Sequence, residues 1–494
     1  MSEINKIKSD EIVTLARGQA VVEARQILDG GAKVLSVSAT CYVRPSEVFA
    51  GEARYAGRVR FDCLVYADGG TKCISTVSEF SDKIASPKIG IGINPVITPE
   101  IVNCEARADG GTLKMTAVVD TTLRAAVHCD CDCMAEPETG IYAEKCDVEY
   151  STVVAEPTET LYITDSIQNV KLAEIMFASS SVVVTNVECA ADEVKISGGV
   201  YTTVAAKSAD GMPVSFRAVT PFAKSIAAPG ADGGDTAFCS ACVSETTASF
   251  VDDASDSRIE LSITLAADAT VVRNATAHAV ADVFCADCEL ETSTVEATLC
   301  KYEPQTTIID AVDGQVSLDD TRPAADNVLC VTNTFCTLSK AEATDRKLNV
   351  EGLVGGDIIY YNAESNATEA IAFRLPFSMP LGIQSASDEV DVTATVTDVT
   401  VKVRRESVFD VKADVAFTAR FSSRKTATLV QSAKRGEPIA RPDATVIVHV
   451  ASPGESLWQA ARALGCSPEL VTAQNASFSA PYSGGERLVN FCKK

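Results

Sequence analysis

The sequence predicts a mainly β chain: three tandem antiparallel β-sandwich-like domains, then a small domain running strand, helix, helix, strand. Three observations predict it. Apolar and polar residues alternate over long stretches, one unit recurs three times, and the spacing turns helical after about residue 445.

The alternation is clean. Leu113, Met115, Ala117 and Val119 share one face of the first copy, and Ile259, Leu261, Ile263 and Leu265 one face of the second. In the third, Val411, Ala413, Val415, Phe417, Ala419 and Phe421 align, with Lys412, Asp414, Thr418 and Arg420 largely opposing them. Period two over such lengths marks half-buried antiparallel strands. Six or more such strands per copy, with few helical stretches, suggest a β-sandwich-like domain.

The repeat lies in "AGRVRFDCLVYADGGTKCISTVSEFSDKI", "ISGGVYTTVAAKSADGMPVSFRAVTPFAKSI" and "VEGLVGGDIIYYNAESNATEAIAFRLPFSMPL". Each opens on Gly-x-Val (Gly57-Val59, Gly198-Val200, Gly352-Val354) and closes on an aromatic with a small residue (Phe80-Ser81, Phe222-Ala223, Phe377-Ser378). The openings lie 23, 24 and 25 residues before the closures, a drift that turn-length variation in a hairpin gives. Copies start 141 and 154 residues apart, a domain period. The divisions expected are 1–150, 151–303 (the divergent copy), 304–431, a charged Pro-containing linker at 432–444, and 445–494.

In the tail, "TVIVHV" reads as a strand. Ser456 and Gln459 have capping-box spacing, and Leu457, Ala460, Ala461 and Leu464 form one apolar helix face. Gly465 suits the left-handed residue that ends a helix, Pro468 the first turn of the next, and "GGERLVNF" a return strand. Trp458, the single tryptophan, sits inside the first helix, which favours core or partner contact.

The hairpins, with their entering segments "GQAVVEARQILDGGAKVLSVSATCYV" and "GQVSLDDTRPAADNVLCV", resemble the SPOCS domain of spore-coat and cortex morphogenetic proteins of clostridia and their relatives. The resemblance covers about 15 to 430 as three copies. The tail is similar to the LysM domain: Val450, Gly454-Glu455-Ser456-Leu457, Leu470 through Asn475, and Gly485 with Leu488 follow its pattern, with Glu455 for Asp and Ser456 for Thr. In that family the loops after the first strand and the second helix form a sugar groove. Carried over, they hold Gly454, Ser456 and Leu457 on one side and Asn475, Ala476, Ser477 and Phe478 on the other.

The pairing resembles clostridial-type morphogenetic proteins that tether the spore coat's scaffold ATPase to the developing forespore. It implies a non-enzymatic adaptor in coat and cortex morphogenesis, docking a spore coat scaffold protein through the tail from the mother-cell cytoplasm, at the forespore surface. Self-association through sheet edges would suit an assembling layer. The alternative is a cell-wall protein binding peptidoglycan or chitin, that is, N-acetylglucosamine.

Composition agrees with a globular chain: 46% apolar, 22% charged. A net charge of −24 argues against a nucleic-acid partner. No apolar run reaches 18 residues, so no membrane span is expected. Glu3, Lys6, Lys8, Asp10 and Glu11 have no apolar run behind them, so no signal peptide is expected. His128, His278 and His449 have no partner legible in the sequence, and no phosphate loop, nucleophile elbow or zinc-protease helix appears, so no enzyme and no cofactor are expected.

Eighteen cysteines leave one ambiguity. "HCDCDCM" places Cys129, Cys131 and Cys133 on one side of any strand there. "CSAC" (Cys239, Cys242) and "CADC" (Cys285, Cys288) have the bite of a tetrahedral zinc site, and the two pairs could meet in space. A structural zinc clip, a disulfide and plain packing all fit, and a zinc-binding or thiol cross-linked structural protein is a further reading.

Overall fold

In the computed structural model residues 3–491 are described, apart from 29–31, 68–69, 253–256, 320, 345–346, 386, 388, 406 and 440–444. The first copy contains β1 (Glu3–Ile7), β2 (Asp10–Ile27), β3 (Lys33–Phe49), β4 (Glu52–Ala67), β5 (Gly70–Ala85), β6 (Val96–Asp109), β7 (Thr112–His128) and β8 (Cys131–Glu136). The second runs through β9 (Ile141–Ala155), β10 (Thr158–Gln168), β11 (Glu174–Ala190), β12 (Glu193–Lys207), β13 (Pro213–Ala227), β14 (Thr236–Val251) and β15 (Arg258–Cys285). The third has β16 (Cys288–Tyr302), β17 (Thr306–Ser317), β18 (Asn327–Thr344), β19 (Lys347–Asn362), β20 (Ala367–Leu381), β21 (Glu389–Arg405) and β22 (Val408–Pro438). The tail is β23 (Val446–Val450), α1 (Leu457–Leu464), α2 (Pro468–Gln474) and β24 (Arg487–Phe491). No described helix is long and apolar enough to cross a membrane.

Each copy makes two antiparallel three-stranded sheets: β2-β7-β6 with β3-β4-β5, β10-β15-β14 with β11-β12-β13, and β17-β22-β21 with β18-β19-β20. The alternating faces point inward as their period requires. Leu113 to Val119, Ile259 to Leu265 and Val411 to Phe421 supply buried residues to clusters shared by both sheets of their copy. Burying a side chain of Val, Leu or Phe size is favourable by roughly 1.5–3 kcal/mol, and such clusters offset the ordering of the long strands.

The recurring Gly and Phe are direct cross-strand partners in all three copies: Gly57↔Phe80, Gly198↔Phe222 and Gly352↔Phe377. At Gly57 a Cβ would lie 2.8 Å from the Phe80 ring, the Tyr42 carbonyl oxygen and Val43 Cγ1. At Gly352 it would lie 2.4 Å from the Thr337 carbonyl oxygen and 2.8 Å from the Phe377 ring. In the first and third copies the glycine is therefore the space that the aromatic occupies, whereas at Gly198 a Cβ would meet the Val183 carbonyl oxygen at 2.0 Å; in all three the 23-to-25-residue spacing is a register.

The three copies converge on one another. Leu64, Ala205 and Ile359, each seven residues beyond its glycine, share one buried cluster with Leu35, Phe177 and Cys330. Polar contacts bind the copies around this hub: Arg124 clasps both Asp391 oxygens, Arg60 donates to the Thr246 carbonyl, and Lys33 pairs with Glu369. A cavity of about 860 Å3, walled by hydroxyls such as Thr40, Ser179, Thr337 and Thr395, opens beside the hub.

Beyond the sheets, three two-stranded ribbons form a bundle: β1 with β8, β9 with the end of β15, and β16 with the end of β22. Ile7, Cys133, Val148, Ala279, Leu299 and Leu429 fill its core. By pairing, β9 and β16 thus go with the strands that follow them, so the expected divisions at 150 and 303 fall within β9 and just past β16. The repeat motif lies in the central hairpins; the signal that marks the entering strands is the spacing Val148-Glu149 to Glu156-Pro157, which recurs as Val295-Glu296 to Glu303-Pro304. Residues 432–438, expected as linker, are the end of β22, with Ser432 to Arg435 and Pro438 in register with β16. Their charges point off an exposed ribbon, which reads as linker composition. Residues 440–444 of that linker lie outside the described residues.

Gly57→Ala should destabilise the chain by about 1–3 kcal/mol through overpacking, lowering the urea midpoint. Gly70→Ala, where a Cβ meets nothing within 4 Å, should change stability by no more than about 0.5 kcal/mol. Equal midpoints for the two variants would refute the ring-over-glycine account.

Candidate functional site

In the tail, β23 and β24 pair antiparallel, with Val446 opposite Phe491, Val448 opposite Val489 and Val450 opposite Arg487. Helix α1 starts where the capping box predicts: Ser456 Oγ accepts from the Gln459 N–H at 3.2 Å and Gln459 Oε1 accepts from the Ser456 N–H at 2.9 Å. Gly465 is left-handed at its end (φ 63°), Ser467 caps α2, and Pro468 occupies its first turn. Ala460, Ala461, Leu464, Val471 and Leu488 make the core between helices and sheet.

The two loops expected to form a groove do meet. The Gly454 N–H donates to the Tyr482 carbonyl at 2.8 Å and the Tyr482 N–H to the Glu455 carbonyl at 3.0 Å. Gly454 needs its φ of 79°, which other residues rarely adopt. Several of the expected groove residues face inward. Asn475 gives both amide hydrogens to the Val471 and Val489 carbonyls and accepts from the Val489 N–H. The Ser456 hydroxyl is committed to its cap, and Leu457 packs against the tail core. Ala476, Ser477 and Phe478 are exposed, Phe478 at 41%.

The other face of the tail's sheet is exposed and largely apolar, with Arg487 opposite Val450 at its edge. Val446, Val448, Val450 and Phe491 are 40%, 56%, 57% and 54% exposed, side by side on two strands. The sequence hides this ridge, because "TVIVHV" reads as a strand with no face assigned.

Trp458 faces the ribbon bundle. Its ring meets Phe284 edge-on with centroids 4.8 Å apart, and its Nε1–H donates to Asp282 Oδ2 at 2.8 Å. Arg462 reaches the same Asp282 and the Val283 carbonyl at 2.6 Å each. Tyr142 continues the stack behind Phe284. One face of the tail is thereby clamped to β9 and β15, while the ridge remains free.

The four cysteines expected as one metal set are not brought together. Cys239 and Cys242 lie three apart on β14, opposite Ala269 and Ala266, so the strand sends their side chains to opposite faces. Cys239 is buried among the second copy's core, and burial pushes its thiol up to about 12. Cys242 looks outward toward Cys41 of the first copy, and burial pushes it up to about 11. Cys285 and Cys288 instead flank a corner, with Sγ atoms 3.0 Å apart and Asp287 beside them. Every described cysteine is a free thiol. Of the three alternating cysteines, Cys131 and Cys133 share the ribbon-bundle core, whereas Cys129 precedes β8 and lies outside that cluster.

Each histidine has a carboxylate partner that sequence reasoning missed. His128 Nδ1 lies 2.5 Å from Asp10, His278 Nδ1 2.5 Å from Asp147, and His449 Nε2 2.7 Å from Glu455. The first two are directly opposed cross-strand pairs, visible only once the register is known. The hydrogen bond to Asp10 raises the His128 pKa.

The single tryptophan makes the clamp measurable. Phe284→Ala should shift Trp458 emission to longer wavelength with the β-sheet circular dichroism unchanged; an unmoved spectrum would mean that the two rings are not in contact in solution. A second readout concerns acid. Burial tends to raise the Glu455 carboxyl, but the Ser452 N–H and the His449 ring outweigh it and hold it below its ordinary 4.5. A carboxyl lowered on folding stabilises fully above about pH 4.5 and loses that contribution as pH falls through its lowered value. Trp458 emission should therefore report an acid transition of the tail below about pH 4.5 that Glu455→Gln removes. A transition identical in the variant would assign it to another group.

Comparison with family models, with curated proteins and with solved structures finds no match to this chain.

Proposed function

We propose that this chain is a non-enzymatic adaptor of the spore envelope, built from three β-sandwich-like SPOCS domains and a LysM-like tail. It docks a spore coat scaffold protein at the forespore surface, from the mother-cell cytoplasm. The observation that carries the reading is the uncovered ridge of Val446, Val448, Val450 and Phe491 on a tail whose opposite side is clamped in place. A protein partner that buries such a cluster gains from desolvation, up to roughly 1.5–3 kcal/mol for each Val or Phe side chain taken fully out of water. The tandem copies supply a rigid base, and their outer strands leave sheet edges through which an assembling layer could add further chains.

A glycan-binding reading draws support from the stitched loops around Gly454 and the exposed Phe478. It is weakened by the inward commitment of Asn475 and Ser456, which leaves few side-chain partners for sugar hydroxyls.

The test uses the full chain with purified coat scaffold ATPase. Val448→Asp, at an exposed position, should weaken binding at least tenfold, about 1.4 kcal/mol, while Phe478→Ala stays within about twofold. Chitin oligomers should give no binding heat. Equal binding by wild type and Val448→Asp, or saturable chitin binding lost in Phe478→Ala, would overturn the docking assignment.

A further inference from the structure

We infer that the Cys285–Asp287–Cys288 corner between β15 and β16 is a binding site for a thiophilic divalent cation, zinc by its donor set. This stands independently of what the tail docks. Cys285 Sγ, Cys288 Sγ and an Asp287 carboxylate oxygen lie within 4.8 Å of one another, the only such group of three or more ligand side chains among the described residues. The Cys288 thiol donates to Cys285 Sγ at 3.0 Å, and the Cys285 thiol donates to Asp287 Oδ1 at 2.7 Å. These three donors converge on one point.

The corner is built to hold that arrangement. Cys285 is the last residue of β15, in register with Ile141, and Cys288 is the first of β16, in register with Pro438. The Ile439 N–H donates to the Asp287 carbonyl at 3.0 Å, pinning the turn. The ligands thus come from a backbone fixed on both sides by ladders. With Zn–S bonds of about 2.3 Å and tetrahedral angles, two bound sulfurs stand roughly 3.8 Å apart. The observed pair needs to open by less than about 1 Å to reach that spacing.

The carboxylate decides between a metal and a dithiol switch. A redox pair depends on a stabilised thiolate, which a neighbouring carboxylate opposes. For a cation the same carboxylate is a third ligand, and zinc accepts Cys and Asp together. On binding, the two thiol protons pass to solvent and the metal takes the place of both hydrogen bonds. Two thiolates and one carboxylate carry three negative charges; the cation offsets two, and Arg435 Nη1 stands 3.9 Å from Asp287 Oδ2. A cavity of about 550 Å3, lined by Cys285 and Cys288 with Phe284, Glu289 and Arg462, borders the corner and would give a fourth ligand such as water room to reach the cation. Three protein ligands with one open position is the pattern of an accessible zinc site.

The test is a Co2+ titration of full-length protein, purified under reductant and stripped with chelator. Wild type should take up one equivalent with a thiolate-to-cobalt charge-transfer band in the near ultraviolet, and Zn2+ should displace it. Cys285→Ser and Cys288→Ser should each lose most of the band, Cys239→Ser should keep it, and Asp287→Asn should weaken Co2+ binding on the order of tenfold or more. Asp287 is exposed, so that variant keeps the test open if a serine variant fails to fold. The inference is overturned if wild type shows no band or if the band survives in both serine variants. It is equally overturned if unreduced protein lacks two reactive thiols that map to Cys285 and Cys288, which would assign a disulfide instead.

Discussion

The arrangement depends on a single small cluster where three hairpins meet. Leu64, Ala205 and Ile359 occupy the same place in their copies; Phe177 complements Ala205 and Cys330 complements Ile359, while Leu35 joins Leu64 from the bulge beside Ser36. Phe177↔Ala205 and Cys330↔Ile359 are direct cross-strand partners, so a large residue on one strand answers a small one on the next. The second copy diverges at this site because its bulk has moved to the neighbouring strand. Interiors pack at fixed density, so a change at one arm has to be matched within the cluster. Three repeats therefore close on one another, where a simple series would have left each apolar tip in water.

Much of this was legible in the sequence, for a definite reason. Alternation depends only on the two-residue period of a strand, so Met115, Ile263 and Val415 could be assigned to cores without knowing any partner. The cap at Ser456 and the left-handed Gly465 are equally local. What stayed hidden depends on register and on long-range pairing. The Asp10–His128 contact joins residues 118 apart in the chain, and the Trp458–Asp282 bond joins residues 176 apart. The end of β22 reads as linker because its exposed Lys434, Arg435 and Glu437 give that stretch of ribbon the composition of a loop.

The cysteine pairs show the same limit within one motif. Cys239-x-x-Cys242 and Cys285-x-x-Cys288 have identical spacing, and only the second brings its sulfurs together. In a continuous strand, residues three apart point to opposite faces; at a corner, the backbone turns and the side chains converge. Spacing alone therefore leaves the outcome open, and the break between β15 and β16 decides it. The signal that could have found it is Asp287, a turn-forming residue between the cysteines, where the first pair has Ser and Ala.

The tail brings these constraints to one place. Its two helices cover one side of a two-stranded sheet, which is too small to bury both faces by itself. Trp458 and Arg462 place the helical side on Phe284 and Asp282, near the end of β15 in the ribbon bundle. The remaining face, with its three valines and Phe491, cannot be covered by the tail's own helices, which already lie on the opposite side. In an adaptor this division has a mechanical consequence. A docking surface carried on a loose tail would lose binding energy to ordering, whereas one fixed through an indole, an ion pair and a bundle of ribbons presents its ridge already placed. The same clamp fixes the ridge relative to β15, which carries Phe284 and Asp282, so in the proposed adaptor a partner on the ridge would be held in register with the sheet edges of the copies.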